Sequence, residues 1–152
     1  MQTKSLSPTP TRTWGDAAVD GLLAGVAAGV VMAIDVLAVG VLAGHTWQAV
    51  LSQFDPGLTP LPLTGGLTHL AVAGVYGALF GVAWRGLRRF VPRLPAWAAG
   101  LAYGLLLWVL AVLVTSSRPA GEWLRALPPL HLLAAHLLYG AALGLSIIRL
   151  HR

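Results

Sequence analysis

Four stretches of this chain are nearly free of charge and long enough to cross a bilayer, and no other feature limits its fold as strongly. A membrane-crossing helix uses ~20 apolar residues to cover ~30 Å of hydrocarbon. The stretches run over residues 17–43, 67–84, 96–115 and 130–150. As a straight helix the first would be about 40 Å long, so it has to tilt or carry its ends out of the lipid. Asp20 near its start and Gly40 and Gly44 near its end favour the second solution. The sequence therefore predicts an all-α membrane protein, a four-transmembrane-helix bundle whose single domain covers residues 15–152. Residues 1–14, rich in Ser, Thr and Pro, read as a disordered cytoplasmic tail. The apolar run behind that tail is too long for a signal-peptide core, so a retained helix is expected.

Composition agrees. Residues are 57% hydrophobic and 10% charged, against about 25% charge in soluble domains. The absence of cysteine excludes disulfides, thiolate-bound iron–sulfur clusters and covalently attached c-type haem. The formal net charge is +5, and the placement of the positive residues carries more information than their sum. Lys and Arg close to span ends stay on the cytoplasmic side. With four spans both termini share one side, which then holds Lys4, Arg12, Arg85, Arg88, Arg89, Arg93, Arg149 and Arg152, leaving Arg118 and Arg125 opposite. Both termini are therefore expected to be cytoplasmic, in a multi-pass protein of a bacterial cytoplasmic (inner) membrane. Arg85, Arg88, Arg89 and Arg93, in "RGLRRFVPRLP", serve this reading as the topology determinant and as a patch for anionic lipid headgroups. No soluble basic domain is present that would point to nucleic acid.

The two outer loops look anchored to the membrane surface. In "TWQAVLSQF", Trp47, Val50, Leu51 and Phe54 follow the spacing of one helical face, and the Asp55-Pro56-Gly57 turn comes next. A short interfacial helix and an outward continuation of the first span both fit. Trp123, Leu124 and Leu127 offer a similar face in "SSRPAGEWLRALPP".

Lipid tails are as apolar as leucine, so membrane helices associate through close backbone approach at small residues. Gly21, Gly25 and Gly29 recur at i+4 in the first span, Gly77 and Gly81 in the second, Gly100 and Gly104 in the third, and Gly140 and Gly144 in the fourth. These are the expected helix contacts. "YGALFG" from Tyr76 and "YGAALG" from Tyr139 align without a gap, which fits either a pseudo-repeat of helix pairs or membrane composition alone. The segments "HLAVAGVYGALFG" and "HLLYGAALG" resemble those of a broad group of bacterial integral membrane proteins with four helices, over most of residues 15–149. That resemblance implies the four-helix architecture and no established activity.

Ionisable groups at bilayer depth are costly, which makes them functional candidates. They are Asp35, His69, His131 and His136, with Tyr139 beside His136; Asp20 and His45 lie nearer the interfaces. Counted from the outer span ends, Asp35 and His136 fall at one level, about 12 Å deep, and are expected to meet. His69 and His131 are expected within a turn of the outer surface. His131 and His136 point about 140° apart on their helix, so they cannot form an i, i+4 metal clamp, and no metal site is assigned.

Three functions remain open. The leading one is an accessory or structural subunit of a larger membrane assembly, respiratory or photosynthetic, or a protein that associates with itself. Its partners would be lipids and other membrane subunits or copies of this chain. The second is a small proton- or ion-linked transport protein using Asp35 and His136. The third is a subunit holding haem b or a chlorophyll-type pigment through His69, His131 or His136. No hydrolase triad, zinc-protease motif, phosphate loop or paired carboxylates argue for an enzyme. Gly140→Leu is expected to destabilise the bundle, and Leu143→Ala to do less.

Overall fold

The first helix, α1 (Trp14–Leu42), opens with a reciprocal cap. Thr13 Oγ1 accepts from the Asp16 amide at 3.1 Å, and Asp16 Oδ2 accepts from the Thr13 amide at 2.7 Å, satisfying two of the orphan donors at the helix start. In this computed structural model, which describes residues 12–117 and 129–150, the helix thus begins inside the segment expected to be a tail. Residues 1–11 of that tail, and the outer-loop face of Trp123, Leu124 and Leu127, lie outside the described residues. After Ala43 the chain turns through Gly44, whose φ of +90° suits a residue without a Cβ. The short helix α2 (Trp47–Ser52) follows, capped by Thr46 Oγ1 accepting from the Ala49 amide at 3.2 Å.

The remaining helices are set by proline. α3 (Pro62–Phe90) has Pro62 in its first turn and stops at Val91, before Pro92. α4 (Ala96–Ser117) starts directly after Pro95, and α5 (Pro129–Leu150) starts with Pro129. Four of these five helices are long and apolar enough to cross a membrane, and no strand occurs among the described residues. At 29 residues α3 is longer than the expected span at both ends. Hydropathy marks where lipid ends, whereas a helix ends where the backbone is interrupted, and the arginines at its end ride on helix beyond the apolar part.

The loop from α2 to α3 is organised by one carboxylate. Asp55 Oδ1 accepts from the Gly57 amide and Oδ2 from the Leu61 amide, each at 2.8 Å. The Leu61 bond, then the Gly57 bond, holds its pKa below the ordinary value of 3.8. A lowered folded-state pKa gives stability that is present above the ordinary value and lost as pH falls through the folded-state value. Protection of the Gly57 and Leu61 amides, measured against their intrinsic exchange rate at each pH, should therefore be constant at neutral pH and fall in acid. Asp55→Ala should show little protection throughout; strong protection at these amides in Asp55→Ala would refute the bridge.

The bundle consists of two hairpins, α1 with α3 and α4 with α5, joined by the contact of α1 with α5. Within each hairpin the backbones touch. A Cβ on Gly25 would fall 2.7 Å from Gly77 Cα, and one on Gly81 would fall 2.9 Å from Gly21 Cα. In the second hairpin a Cβ on Gly140 would lie 3.1 Å from Gly104 Cα, and one on Gly144 would lie 2.9 Å from Trp97 Cα. Equivalent positions serve in both: Ala17, Gly21 and Gly25 face Ala73, Gly77 and Gly81 as Ala96, Gly100 and Gly104 face His136, Gly140 and Gly144. The gapless alignment of the two Tyr-Gly segments thus corresponds to a repeated mode of packing.

The repeat is not symmetric between the hairpins. Where α1 offers Ala24 and Ala28 to its neighbour, α4 offers Tyr103 and Leu107 at the equivalent positions. The small residues let α5 approach α1 closely, while Tyr103 stands between α4 and α3. Its ring lies 5.2 Å from that of Phe80, and its hydroxyl donates to Tyr76 O at 2.9 Å. Phe80, Trp84, Leu143 and Ile147 fill the core beside this wedge, with Leu143 0% and Ile147 1% exposed.

The helix α2 turns its apolar face onto the protein. Val50, 1% exposed, packs on Gly40, the Leu51 carbonyl sits on Gly65 with its side chain beside Gly66, and Phe54 lies against the His69 ring at 4.8 Å. Only Trp47, 54% exposed, keeps the outward orientation expected of an interfacial helix.

Candidate functional site

Polar groups collect at two levels, one towards each end of the bundle. At the α2 end they are Asp35 on α1, His69 on α3, and His131 and His136 on α5. Asp35 pairs with His131, not with His136: the Oδ2 to Nε2 distance is 3.4 Å, and both side chains are mostly buried. The expected pairing fails because the helix ends are not flush. α1 continues to Leu42 beyond Asp35, whereas α5 begins at Pro129, only just before His131, so equal counts from the ends give unequal depths. Neither contacting atom has a hydrogen-bond partner among the described residues, so the two side chains are each other's nearest polar company at this level.

The other imidazoles are served by carbonyls. His136 Nδ1–H donates to Leu132 O at 2.8 Å, one turn back on its own helix. His69 Nε2–H donates across to Gly29 O on α1 at 3.1 Å. Because α3 starts at Pro62, His69 lies about two helical turns inside its helix. Tyr139, 2% exposed, donates its hydroxyl to Ala73 O at 2.7 Å and so ties α5 to α3 across the hairpin boundary. Among the described residues no group of three or more His, Cys, Asp or Glu side chains is placed to hold a metal.

His69 also borders an open apolar groove of about 670 Å³ beside α2, walled by Ile34, Leu37, Leu51, Leu67 and Leu70. Its walls offer almost nothing polar, so it can accept an aliphatic chain and little else.

At the other end Arg12, Asp20, Arg85, Arg88 and Arg89 gather around two tryptophans. Arg12 Nη1 lies 3.0 Å from Asp20 Oδ2, and Arg85 Nη2 donates to Arg12 O at 2.6 Å. The guanidinium carbons of Arg85 and Arg89 stand 5.1 Å and 5.0 Å from the Trp14 ring centre, within cation–π range. That of Arg88 stands 6.0 Å from Trp84. Arg93 is exposed in the loop beyond α3 and takes no part in these contacts. The sequence reading missed Arg12, Trp14 and Asp20 as members of this cluster because it placed the start of α1 later. The available signal was Thr13-x-x-Asp16, a capping pattern that marks a helix start directly after Arg12.

The glycines predicted as helix contacts all lie at helix–helix seams. Gly21, Gly25 and Gly29 face α3, Gly77 and Gly81 face α1, and Gly100, Gly104, Gly140 and Gly144 join α4 to α5. Between the two polar levels, backbone meets backbone within each hairpin. No curated protein and no solved structure matches this chain. The chain belongs to a family of unknown function, DUF6789, which it matches over residues 15–152.

Proposed function

We propose that this protein is an accessory or structural subunit of a bacterial cytoplasmic membrane, packing in the plane of the bilayer against another membrane protein or a copy of itself. The arginine end and both termini face the cytoplasm, by the positive-inside rule. The packing of α4 carries the reading. This helix is apolar around its circumference yet is held closely on one side only, by α5, and Leu105, Leu106, Val109, Leu110 and Leu113 stand exposed. The short loops leave little surface for an aqueous substrate.

The geometry favours this over transport. A proton path needs linked polar groups across the bilayer. Here the Asp35–His131 pair is separated from the arginine end by glycine seams and by Phe80, Leu143 and Ile147. A haem or pigment on His69 or His131 would have to displace the contact with Gly29 O or Asp35, and on His136 it would have to bind at Nε2, since Nδ1 is held by Leu132 O.

Isolation in mild detergent decides between these readings. A stoichiometric membrane partner, or a stable oligomer by native mass spectrometry, is expected. A monomeric, partner-free preparation whose proton flux in liposomes is abolished by Asp35→Asn would overturn the proposal. So would a Soret band that disappears on replacing one histidine.

A further inference from the structure

The arginine cluster borders an open cavity of about 370 Å³, lined by Arg12, Arg85, Arg88 and Arg89 with Trp84 and Gly81. That volume lies at the small end of the ~300–1,000 Å³ typical of ligand pockets. Four arginines line this space, and the two carboxylates near them are already engaged, Asp20 with Arg12 and Asp16 with the Thr13 amide in the helix cap. The excess of cation favours an anion.

The cations are also preorganised. Trp14 supports Arg85 and Arg89 and Trp84 supports Arg88, so the planar forks are held before any ligand arrives. Arg85 is further fixed by Nη2 donating to Arg12 O. Guanidinium forks match the paired oxygens of phosphate, and the end of a membrane-spanning helix is the depth at which a bilayer presents its phosphates.

We infer that this cavity is a binding site for a phosphate group, monoester or diester, supplied by an anionic lipid headgroup or by a soluble phosphate. The site differs from a general basic patch in including Arg12 and in leaving out Arg93. It needs no assembly partner, so it stands or falls separately from the subunit reading.

Two variants of equal charge test it: Arg88→Gln lines the cavity, and Arg93→Gln does not. The full-length protein is loaded with phosphatidic acid in a background of phosphatidylcholine, and bound lipid is counted by native mass spectrometry. A parallel titration uses inorganic phosphate, followed by thermal shift. Arg88→Gln should weaken binding about tenfold, the loss expected for one charge-assisted hydrogen bond, while Arg93→Gln should retain it. Arg85→Lys, which keeps the charge but loses the fork, should also weaken binding. A response to phosphatidic acid alone identifies a lipid as the source, and a response to inorganic phosphate alone identifies a soluble one. Equal weakening by Arg88→Gln and Arg93→Gln, or no binding of either probe by the wild-type protein, would overturn the inference.

Discussion

Gly77→Leu is expected to force α1 away from α3 and to lower the unfolding free energy in detergent by about 3 kcal/mol or more, the upper part of the overpacking range. A Cβ at this position would already meet Gly25 Cα at 2.5 Å and Gly25 N at 2.8 Å. Both are backbone atoms, so no rotamer change can make room, and the helices have to separate along their length. Separation sacrifices the close van der Waals contact that drives association in lipid. Gly66→Ala is the control, because a Cβ there meets only the Leu51 side-chain tips at 3.9 Å. It should be neutral or stabilise by about 0.5–1 kcal/mol through the helix preference of alanine. Thermal unfolding in one detergent compares the two. A Gly77→Leu protein as stable as the wild type would show that the α1–α3 seam is misplaced.

The second large effect is expected at Leu143, where truncation to alanine should cost about 2–5 kcal/mol. Leu143 is 0% exposed and belongs to the cluster of Phe80, Trp84, Leu107, Tyr139 and Ile147, to which both hairpins contribute. Removing it opens a cavity among side chains that the glycine seams hold in place, so collapse is restricted. The sequence reading ranked this substitution below Gly140→Leu, with both residues on one contact stripe of the last helix. The structure gives the two residues different tasks, Gly140 within a hairpin and Leu143 in the shared core. Ile34→Ala, at 62% exposure on the outer surface of α1, should change stability far less. Equal effects at Leu143 and Ile34 would refute the core assignment.

The number of spanning helices and the contact role of the glycines were legible in the sequence because each rests on local information. Apolar length reports a span directly, and recurrence of glycine at i+4 reports a contact face without reference to the partner. The polar pairing was not legible, because it depends on how far one helix slides along another. Asp35 meets His131 through an offset of helix ends that Pro129 and the return through α2 impose. The arginine cavity was only half visible for a related reason. Arg85, Arg88 and Arg89 are close in sequence, whereas Arg12 reaches them only because Thr13 starts α1 where it does.

The glycine seams also bear on how such a chain can vary. Every missense change at a glycine codon adds atoms, so at Gly21, Gly77, Gly100 and Gly140 drift has a single direction, towards collision with a neighbouring main chain. A collision between backbones cannot be cured by trimming the opposite residue, since that residue has no side chain to trim. Variation is thereby diverted to the outward-facing leucines and valines, leaving the outer surface of the molecule free to adapt while its inner spacing stays fixed.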